Sequence, residues 1–522
     1  MYINKCLELQ KQMLMVATGV VTMKPMWTST FINGVPQDTN EENHPRQVHQ
    51  ACFSKVKPTK MPDPKMLLWN EDLATELGLE IDPEVWSGNT QIEGMEPFAH
   101  CYGGHQFGTW AGQLGDGRAI SLGTLTKDDE LFEIQLKGSG VTPYSRRGDG
   151  RAVLRSSLRE FLCSEAMFHL GIPTSRALSL VSTGEYVLRD ILYDGHPAEE
   201  PGAIVTRVAQ SFLRFGSFEI HASRSDNETL TLLLEYVLQQ FFTHDNEVEV
   251  DCLNWLRCVG KETARLVSEW MRVGFVHGVM NTDNMSIHSI TIDYGPYGWI
   301  EPYDLDWTPN TTDKFSKRYT FGNQPMIAMW NYARLLDSIL PIFSLEQDKR
   351  PLLESFQIAF QWEHHRMWCN KLGIKDMTDE SVVVIEECQR LLQESNIDMT
   401  IFFRELSYLN SASIDFIHKA CYQPIEHMGA WTQWLQSWNE VTQNSPDKEL
   451  MLSSNPKYVL RNWLAYEAIE HAEQGDLSYA LDLYECLKNP YDEQEQYASR
   501  FYQKRPEWAE HKPGSSMLSC SS

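Results

Sequence analysis

The chain has 522 residues, a length that predicts about three domains or one lobed enzyme. Hydrophobic residues make up 42% and aromatic ones 11%, a core-forming composition that excludes disorder for most of the chain, and no apolar run reaches the roughly 18 residues that a membrane-spanning helix needs. With 45 basic against 71 acidic residues the net charge is −26, which repels nucleic-acid phosphate and anionic lipid, so a polyanionic ligand has to be held by local basic islands.

The first 30 residues hold Lys5, Lys11 and Lys24, no arginine, and a short apolar stretch, Met13–Val21, interrupted by Thr18 and Gly19. They read as an unprocessed or loosely ordered leader. The polar run 37–50 reads as a loop, and Met66–Gly78 as a short amphipathic helix. From about 100 to 150 glycine is dense, which fits strands joined by tight turns. Within it Leu131–Lys137 alternates, with Phe132, Ile134 and Leu136 on one face and Glu133, Gln135 and Lys137 on the other, the pattern of a half-buried strand. The period then changes. Leu154, Leu158, Phe161, Leu162, Ala166 and Leu170 recur at helical spacing, and Gly171 and Pro173 end the pattern, so a helix is predicted over about 151–170. Strand-like sequence follows at Ala177–Ser182, Glu185–Arg189 and Gly202–Arg207. Beyond about 225 the pattern is mostly helical (Leu230–Phe242, Leu253–Val273, Met326–Leu340 and much of 345–510), with a short strand predicted at Ser289–Asp293. The tail 505–522 is polar and reads as mobile. The expected fold is α+β, a small β-rich part followed by a larger, mostly helical one. Eleven cysteines are scattered without a CxxC pair, which argues against a zinc site of the usual spacing and for a reducing compartment.

Four constellations could carry chemistry. The first is His277 to Gly295, HGVMNTDNMSIHSITIDYG, in which Asn284 and Asp293 are hard oxygen donors nine residues apart, suited to a divalent cation. Protein kinases place an Asn seven residues after a loop histidine and follow it with Asp-Phe-Gly; here His277, Asn284 and Asp293-Tyr294-Gly295 keep that order. The kinase base position is Val279, which cannot accept a proton, and the nearest candidate base is Asp283. An ordinary polar turn is the competing reading. The second is Lys137 on its strand with Glu160 on the next helix, an arrangement that in kinases holds nucleotide phosphates. The third is the basic island Arg146, Arg147, Arg151, Arg155 and Arg159, joined by Arg118, Arg207 and Arg214. Guanidinium groups match phosphate oxygens, although Arg155 and Arg159 read better as a solvated helix face. The fourth is Gly115-Asp116-Gly117-Arg118, where glycines allow close approach of a phosphate. No nucleophile elbow, HExxH, Walker A or EF-hand pattern occurs. His364-His365 reads as a surface pair, and the stripe Trp463, Ala465, Ile469, Ala472 as core.

The segments YGGHQFGTWAGQLGDGRA, QLKGSGVTPYSRRGDGRAVLRSSLREFL, TRVAQSFLRFGSFE, HGVMNTDNMSIHSITIDYGPYG and NPKYVLRNWLA resemble the selenoprotein O family, also called YdiU or SelO, from about residue 60 to the C-terminus. The resemblance implies a protein-kinase-like fold that transfers AMP from ATP to protein hydroxyls, with pyrophosphate released. It implies nucleotide contacts at Gly115, Gly117, Arg118, Lys137, Asp149, Gly150, Arg207, Arg214 and Asp293, with Glu160 partnering Lys137. Asp283 would be the proton acceptor, and Asn284 and Asp293 would hold Mg²⁺ or Mn²⁺. It divides the chain into an N-terminal leader and extension (1–60), a β-rich nucleotide-binding lobe (61–215), a helical lobe with the catalytic and metal loops (216–345), a C-terminal helical region (346–504) and the tail (505–522) with Cys520. Some relatives carry a cysteine where this chain has Tyr297, so the loop here lacks that partner for a disulfide with the tail, and whether Cys520 forms one stays open.

Three readings stay open: AMP transfer, conventional phosphoryl transfer, which would want an Asp at 279, and nucleotide binding without catalysis, against which Asn284 and Asp293 stand. The expected partners are ATP and proteins bearing hydroxyl side chains, with no nucleic acid and no membrane. The expected compartment is the cytoplasm, with the mitochondrion as the alternative.

Overall fold

The structure, a computed structural model, describes residues 25–519 apart from 191–194, 243–247, 344–347, 410–413, 425 and 427. The leader's apolar stretch and Cys520 lie outside the described residues.

One antiparallel sheet organises the first 210 residues. Its strands are β1 (Met26–Thr28), β2 (Phe53–Lys55), β3 (Lys65–Trp69), β4 (Phe98–His100), β7 (Ala119–Lys127), β8 (Glu130–Lys137), β9 (Arg176–Arg189) and β10 (Ala198–Ala209). A separate hairpin pairs β5 (Gly103–Gln106) with β6 (Thr109–Gln113). The sheet runs β2-β4-β7-β8-β10-β9-β3, with β1 also on β7. In register, Lys137 lies opposite Val205, and Gln135 opposite Arg207. Side chains alternate across a strand, so Gln135, Lys137 and Arg207 share one face. Ile134, Leu136, Ile204 and Val208 share the other and pack with Leu73, Leu77 and Trp86.

The strand predicted at 131–137 is present, but it is not half-solvated. Glu133 and Gln135 are buried because the polar face is also covered. They are tolerated there through pairing: Glu133 meets His100 Nε2 at 2.7 Å and accepts the Phe212 amide, and Gln135 donates to Asp116. The predicted helix is Leu154–His169 and packs on β9 and β10. Its arginines are not solvated: Arg155 forms a two-point pair with Glu200, and Arg159 donates to the Tyr297 carbonyl at 2.9 Å. Helical periodicity marks a core-facing stripe but cannot tell when the opposite face is covered as well.

Several boundaries differ from the sequence pattern. Met66–Gly78 is half strand and half helix, since the Asn70 side chain caps Glu71–Leu77 by accepting from the Leu73 amide. Ser289–Asp293 forms no strand; only Thr291 bridges, to Thr174. His364 and His365 are half-buried, and His365 Nε2 meets the Ser381 hydroxyl at 2.8 Å. The segment read as a mobile tail packs down. Ala509 and Leu518 are buried, and the Leu518 carbonyl accepts from the Thr311 amide at 2.7 Å. The apolar stripe Trp463, Ala465, Ile469 and Ala472 is core, as its spacing predicts.

Helices follow from Phe215–Ser223 onward, the longest being Val248–Val273. No helix among the described residues is long and apolar enough to cross a membrane. A buried ion pair joins the starts of two C-terminal helices, Met399–Leu406 and Asn462–Glu473. Arg461 donates to both oxygens of Asp398 at 2.7 and 2.9 Å, with neither side chain more than 2% exposed. Asp398 also caps the helix Met399–Leu406 by accepting the Ile401 amide. Removing Asp398 leaves the buried Arg461 with only the longer contact to Glu301, at 3.3 Å. We therefore expect Asp398→Ala to lower the unfolding free energy by about 3–5 kcal/mol, read as a fall in thermal or denaturant midpoint; an unchanged midpoint would contradict the assignment.

Candidate active site

The site forms where the polar face of β8 and β10 meets the loop 277–295. Lys137 Nζ pairs with Glu160 Oε2, as the strand-and-helix reading anticipated. Arg207, fully buried on β10, reaches Glu160 at 3.2 Å, Asp293 at 2.5 Å and Gln135 Oε1. Arg214 pairs with the second oxygen of Asp293, donates to the Asp283 carbonyl at 2.8 Å, and lies 4.3 Å from the Tyr102 ring centre. Asp293 therefore has one guanidinium on each carboxylate oxygen. Burial raises its pKa, but Arg214, Arg207 and Lys137 outweigh that and hold it far below the usual carboxylate range. Its backbone sits at φ +57°, in the left-handed region that Asp tolerates better than most residues.

The loop itself is tied by buried amides and a histidine. His277 Nε2 lies 3.1 Å from the Ile292 carbonyl, next to Asp293, and burial lowers its pKa, which favours the neutral ring. Asn310 and Asn331 donate to the carbonyls of Gly278 and Met280. Thr282–Asn284 is a single 3₁₀ turn. The Asn284 Nδ2 donates to the Val279 carbonyl at 2.9 Å, and nothing among the described residues bonds to its Oδ1. Asp283 is buried; its Oδ2 accepts from Gln106 at 3.3 Å while its Oδ1 has no partner. Burial pushes its pKa up to about 7, against the opposing effect of the Gln106 bond.

The hairpin β5–β6 lies against this loop, a role that no period or motif in its residues marks. The His105 amide donates to Thr282 Oγ1 at 2.7 Å, and the Phe107 amide to Asn281 Oδ1 and to the Tyr319 hydroxyl. Gly104 must lack a side chain: a Cβ there would stand 2.5 Å from Asp283 Oδ1. A Cβ on Gly216 would overlap the Gly103 carbonyl. The run GGHQFG, taken above only as part of a family-like segment, carries this close approach.

The remaining expected residues surround the cluster. Gly115 and Gly117 back onto Tyr144, and between them Asp116 is buried, accepting from the His100 amide and from Gln135. Arg118 is half-buried, and its guanidinium has no hydrogen bond among the described residues. Burial lowers its pKa, opposed by the neighbouring Glu160. Gly150 packs against the Gly140 carbonyl. Asp149 stands apart from the carboxylate cluster: its side chain is 49% exposed and is clasped by both terminal nitrogens of Arg189 at 2.7 and 2.8 Å. The sequence reading missed Gln135 and Asp116, which link Arg207 to the glycine turn. It also missed Tyr102 beneath Arg214, and Gln106.

Among the described residues no three His, Cys, Asp or Glu side chains form a metal cage. Asn284 Oδ1 and the Asp293 carboxylate are the hard oxygen donors of the loop. A cation there would need the remainder of its shell from an anionic ligand or water, as Mg²⁺ ordinarily does.

The family described as "Protein adenylyltransferase SelO" matches residues 38–488. Among similar chains, a "Protein nucleotidyltransferase YdiU" of Aromatoleum aromaticum is 48% identical over 515 residues, covering 94% of this chain and 98% of its own. The protein of the same name from Tolumonas auensis is 49% identical over 514 residues, with the same coverage. That of Rhodopirellula baltica is 48% identical over 545 residues, covering 96% and 100%.

The electrostatics make one prediction that needs no ligand. Asp293→Asn would leave Arg207 and Arg214 facing each other without their shared anion. We expect the ligand-free protein to lose about 3–5 kcal/mol of stability, measured by denaturant unfolding. A variant as stable as the parent would show that the two arginines are neutralised elsewhere.

Proposed function

We propose that this chain, which belongs to the SelO family of protein adenylyltransferases, transfers AMP from ATP to a hydroxyl of an acceptor protein at the site built around Asp293. The observation that carries the residue assignment is the placement of a partly unsatisfied buried carboxylate, Asp283, beside the arginine–carboxylate cluster, while the kinase base position is the buried Val279.

In this reading the acceptor hydroxyl gives its proton to Asp283 as its oxygen attacks the α-phosphorus. The new O–P bond forms as the bond from the α-phosphorus to the bridging oxygen breaks, and pyrophosphate leaves. Lys137, Arg207, Arg214 and Arg118 orient and neutralise the triphosphate. Lys137 is held for this by Glu160, and its depressed pKa, a consequence of burial, is limited by that pairing. The turn Gly115–Arg118 and the loop at Asp149 and Gly150 border the nucleotide. The residues fit Mg²⁺ or Mn²⁺: Asn284 Oδ1 is free of partners among the described residues, and each Asp293 oxygen keeps lone pairs beyond its guanidinium contact. Such a cation, when bound, supplies charge neutralisation for the departing pyrophosphate. The kinase-like order of strand lysine, helix glutamate, loop asparagine and Asp-Tyr-Gly supports a two-lobed arrangement. In it, residues 61–215 form the nucleotide-binding lobe, 216–345 the catalytic lobe and 346–504 the C-terminal region. The described cysteines are all free thiols and all but Cys258 are buried, which supports the cytoplasm as compartment.

Two measurements test the reading. ATP labelled at the α-phosphate should mark an acceptor protein or the enzyme itself, and γ-labelled ATP should not; stoichiometric γ-transfer would overturn AMP transfer. Asp283→Ala should slow α-label transfer by about 10²–10⁴-fold while calorimetric ATP titration with Mg²⁺ stays close to that of the parent. Parallel loss of binding and rate would refute the base assignment and make Asp283 a ligand or a structural residue.

A further inference from the structure

Between the loop 277–295 and the helix Gln324–Ile339 the chain presents Lys314-Phe315-Ser316-Lys317-Arg318. Lys314, Ser316 and Lys317 are exposed, and Phe315 is 95% exposed, the most exposed of the large apolar side chains described. Three cations within five residues stand out on a chain of net charge −26. No carboxylate among the described residues lies within ion-pair reach of any of the three.

The loop is held in shape from beneath. Asp313, fully buried, accepts from the Ser316 hydroxyl, the Arg318 amide at 3.0 Å and the Tyr319 amide at 2.6 Å. Lys317 takes a left-handed turn at φ +47°, a conformation unfavourable for lysine that this network sustains. A lysine–phenylalanine protrusion on so fixed a base is pre-organised to meet something. Arg318 lies over the Trp330 ring at 4.7 Å and close to Tyr319 at 5.7 Å. Its Nε and Nη2 are covered and bond to nothing. It is a guanidinium positioned by stacking, and no carboxylate among the described residues pairs with it.

The position of this loop gives it a target. Tyr319 directly follows Arg318, and its hydroxyl donates to Asn281 Oδ1 at 2.6 Å and accepts the Phe107 amide. The basic loop is thus braced on the residue two before Asp283 and on the hairpin that covers Asp283. We propose that it docks the acceptor protein, and that the acceptor presents the modified hydroxyl within an acidic segment. The exposed Lys314 and Lys317 draw the segment in, Arg318 beneath them adds its charge, and Phe315 is covered by an apolar side chain of the partner. This rests on the reading that Asp283 receives the acceptor's proton. Elsewhere the negative field of the protein repels an acidic segment, so the loop confers selectivity as well as attraction. Lys314 and Lys317 also border a groove of about 810 Å³ that carries Asp304, Asp306, Glu507 and Glu510. Those acids confine the anionic contact to the lysines and Arg318.

The test is binding, not turnover. Two fluorescent synthetic peptides, each with one serine and one leucine, differ only in having glutamate or glutamine at the flanking positions. Their affinity for the full chain is read by anisotropy at low and high salt. We expect the glutamate peptide to bind at least about tenfold more tightly at low salt, with the difference closing at high salt. In the Lys314→Glu/Lys317→Glu variant the preference should vanish, and Arg318→Gln should reduce it. Both lysines are exposed, so the variant's melting temperature and ATP titration should match the parent's. Equal affinity for the two peptides, no binding of either, or a preference that survives the charge reversal overturns the proposal. The measurement involves no AMP transfer, so a failure of α-label transfer would count against the chemistry above and not against this surface.

Discussion

The carboxylate of Asp293 between Arg207 and Arg214 is the interaction on which the site depends. Arg207 belongs to a sheet strand, Arg214 directly precedes the helix Phe215–Ser223, and Asp293 ends the loop that His277 begins. Three parts of the chain with separate folding rules are therefore fixed to one group. The cluster is also close to neutral, because Lys137, Arg207 and Arg214 face Glu160, Asp293 and Asp116. A polyphosphate entering it meets guanidinium groups whose charges are partly spoken for. Arg118 is the cation beside it whose guanidinium makes no hydrogen bond among the described residues. In the reading proposed above, a strongly acidic protein can host an anionic ligand here because the local field is set by close buried pairs and not by net charge at the Debye length.

The parts of this arrangement that a sequence can show are those with a period or an order. The alternation at 131–137 placed Lys137 on the same face as Gln135, and the helical spacing after 150 placed Glu160 on the next element. The spacing of His277, Asn284 and Asp293 marked the loop. Periodicity does not report what lies over the polar face. Glu133, Gln135, Arg155 and Arg159 are all buried, and each bonds to a partner that another part of the chain brings to it. The same limit explains Ser289–Asp293. Its apolar–polar alternation is strand-like, yet no neighbouring strand is available, so one bridge to Thr174 forms where a ladder was expected. At Met66–Gly78 an asparagine in the middle of an amphipathic run is a helix cap, and capping divides what composition joins.

The hairpin over Asp283 was illegible for a different reason. Its signal is not hydrophobic but steric: Gly104 and Gly216 are where two backbones approach closely, and a glycine required by contact looks like a glycine required by a turn. Only the three-dimensional pairing of Gln106 with Asp283, and of the His105 and Phe107 amides with Thr282 and Asn281, separates the two.

That pairing also bears on how adjacent residues come to hold different roles. Thr282–Asn284 is a 3₁₀ turn, in which successive side chains project about 120° apart. Asp283 is turned to the hairpin, where Gln106 meets one oxygen and Gly104 leaves room for the other. Asn284 is turned back to its own loop, where the Val279 carbonyl takes the amide nitrogen and leaves the oxygen free. In a kinase-type loop the base stands five residues before the asparagine, a separation that gives it its own backbone position. Here Val279 fills that position and contributes only a carbonyl, which orients Asn284. Under the base assignment proposed above, two neighbouring residues of one tight turn, with the hairpin set against them, would divide the work that a kinase loop gives to residues five apart.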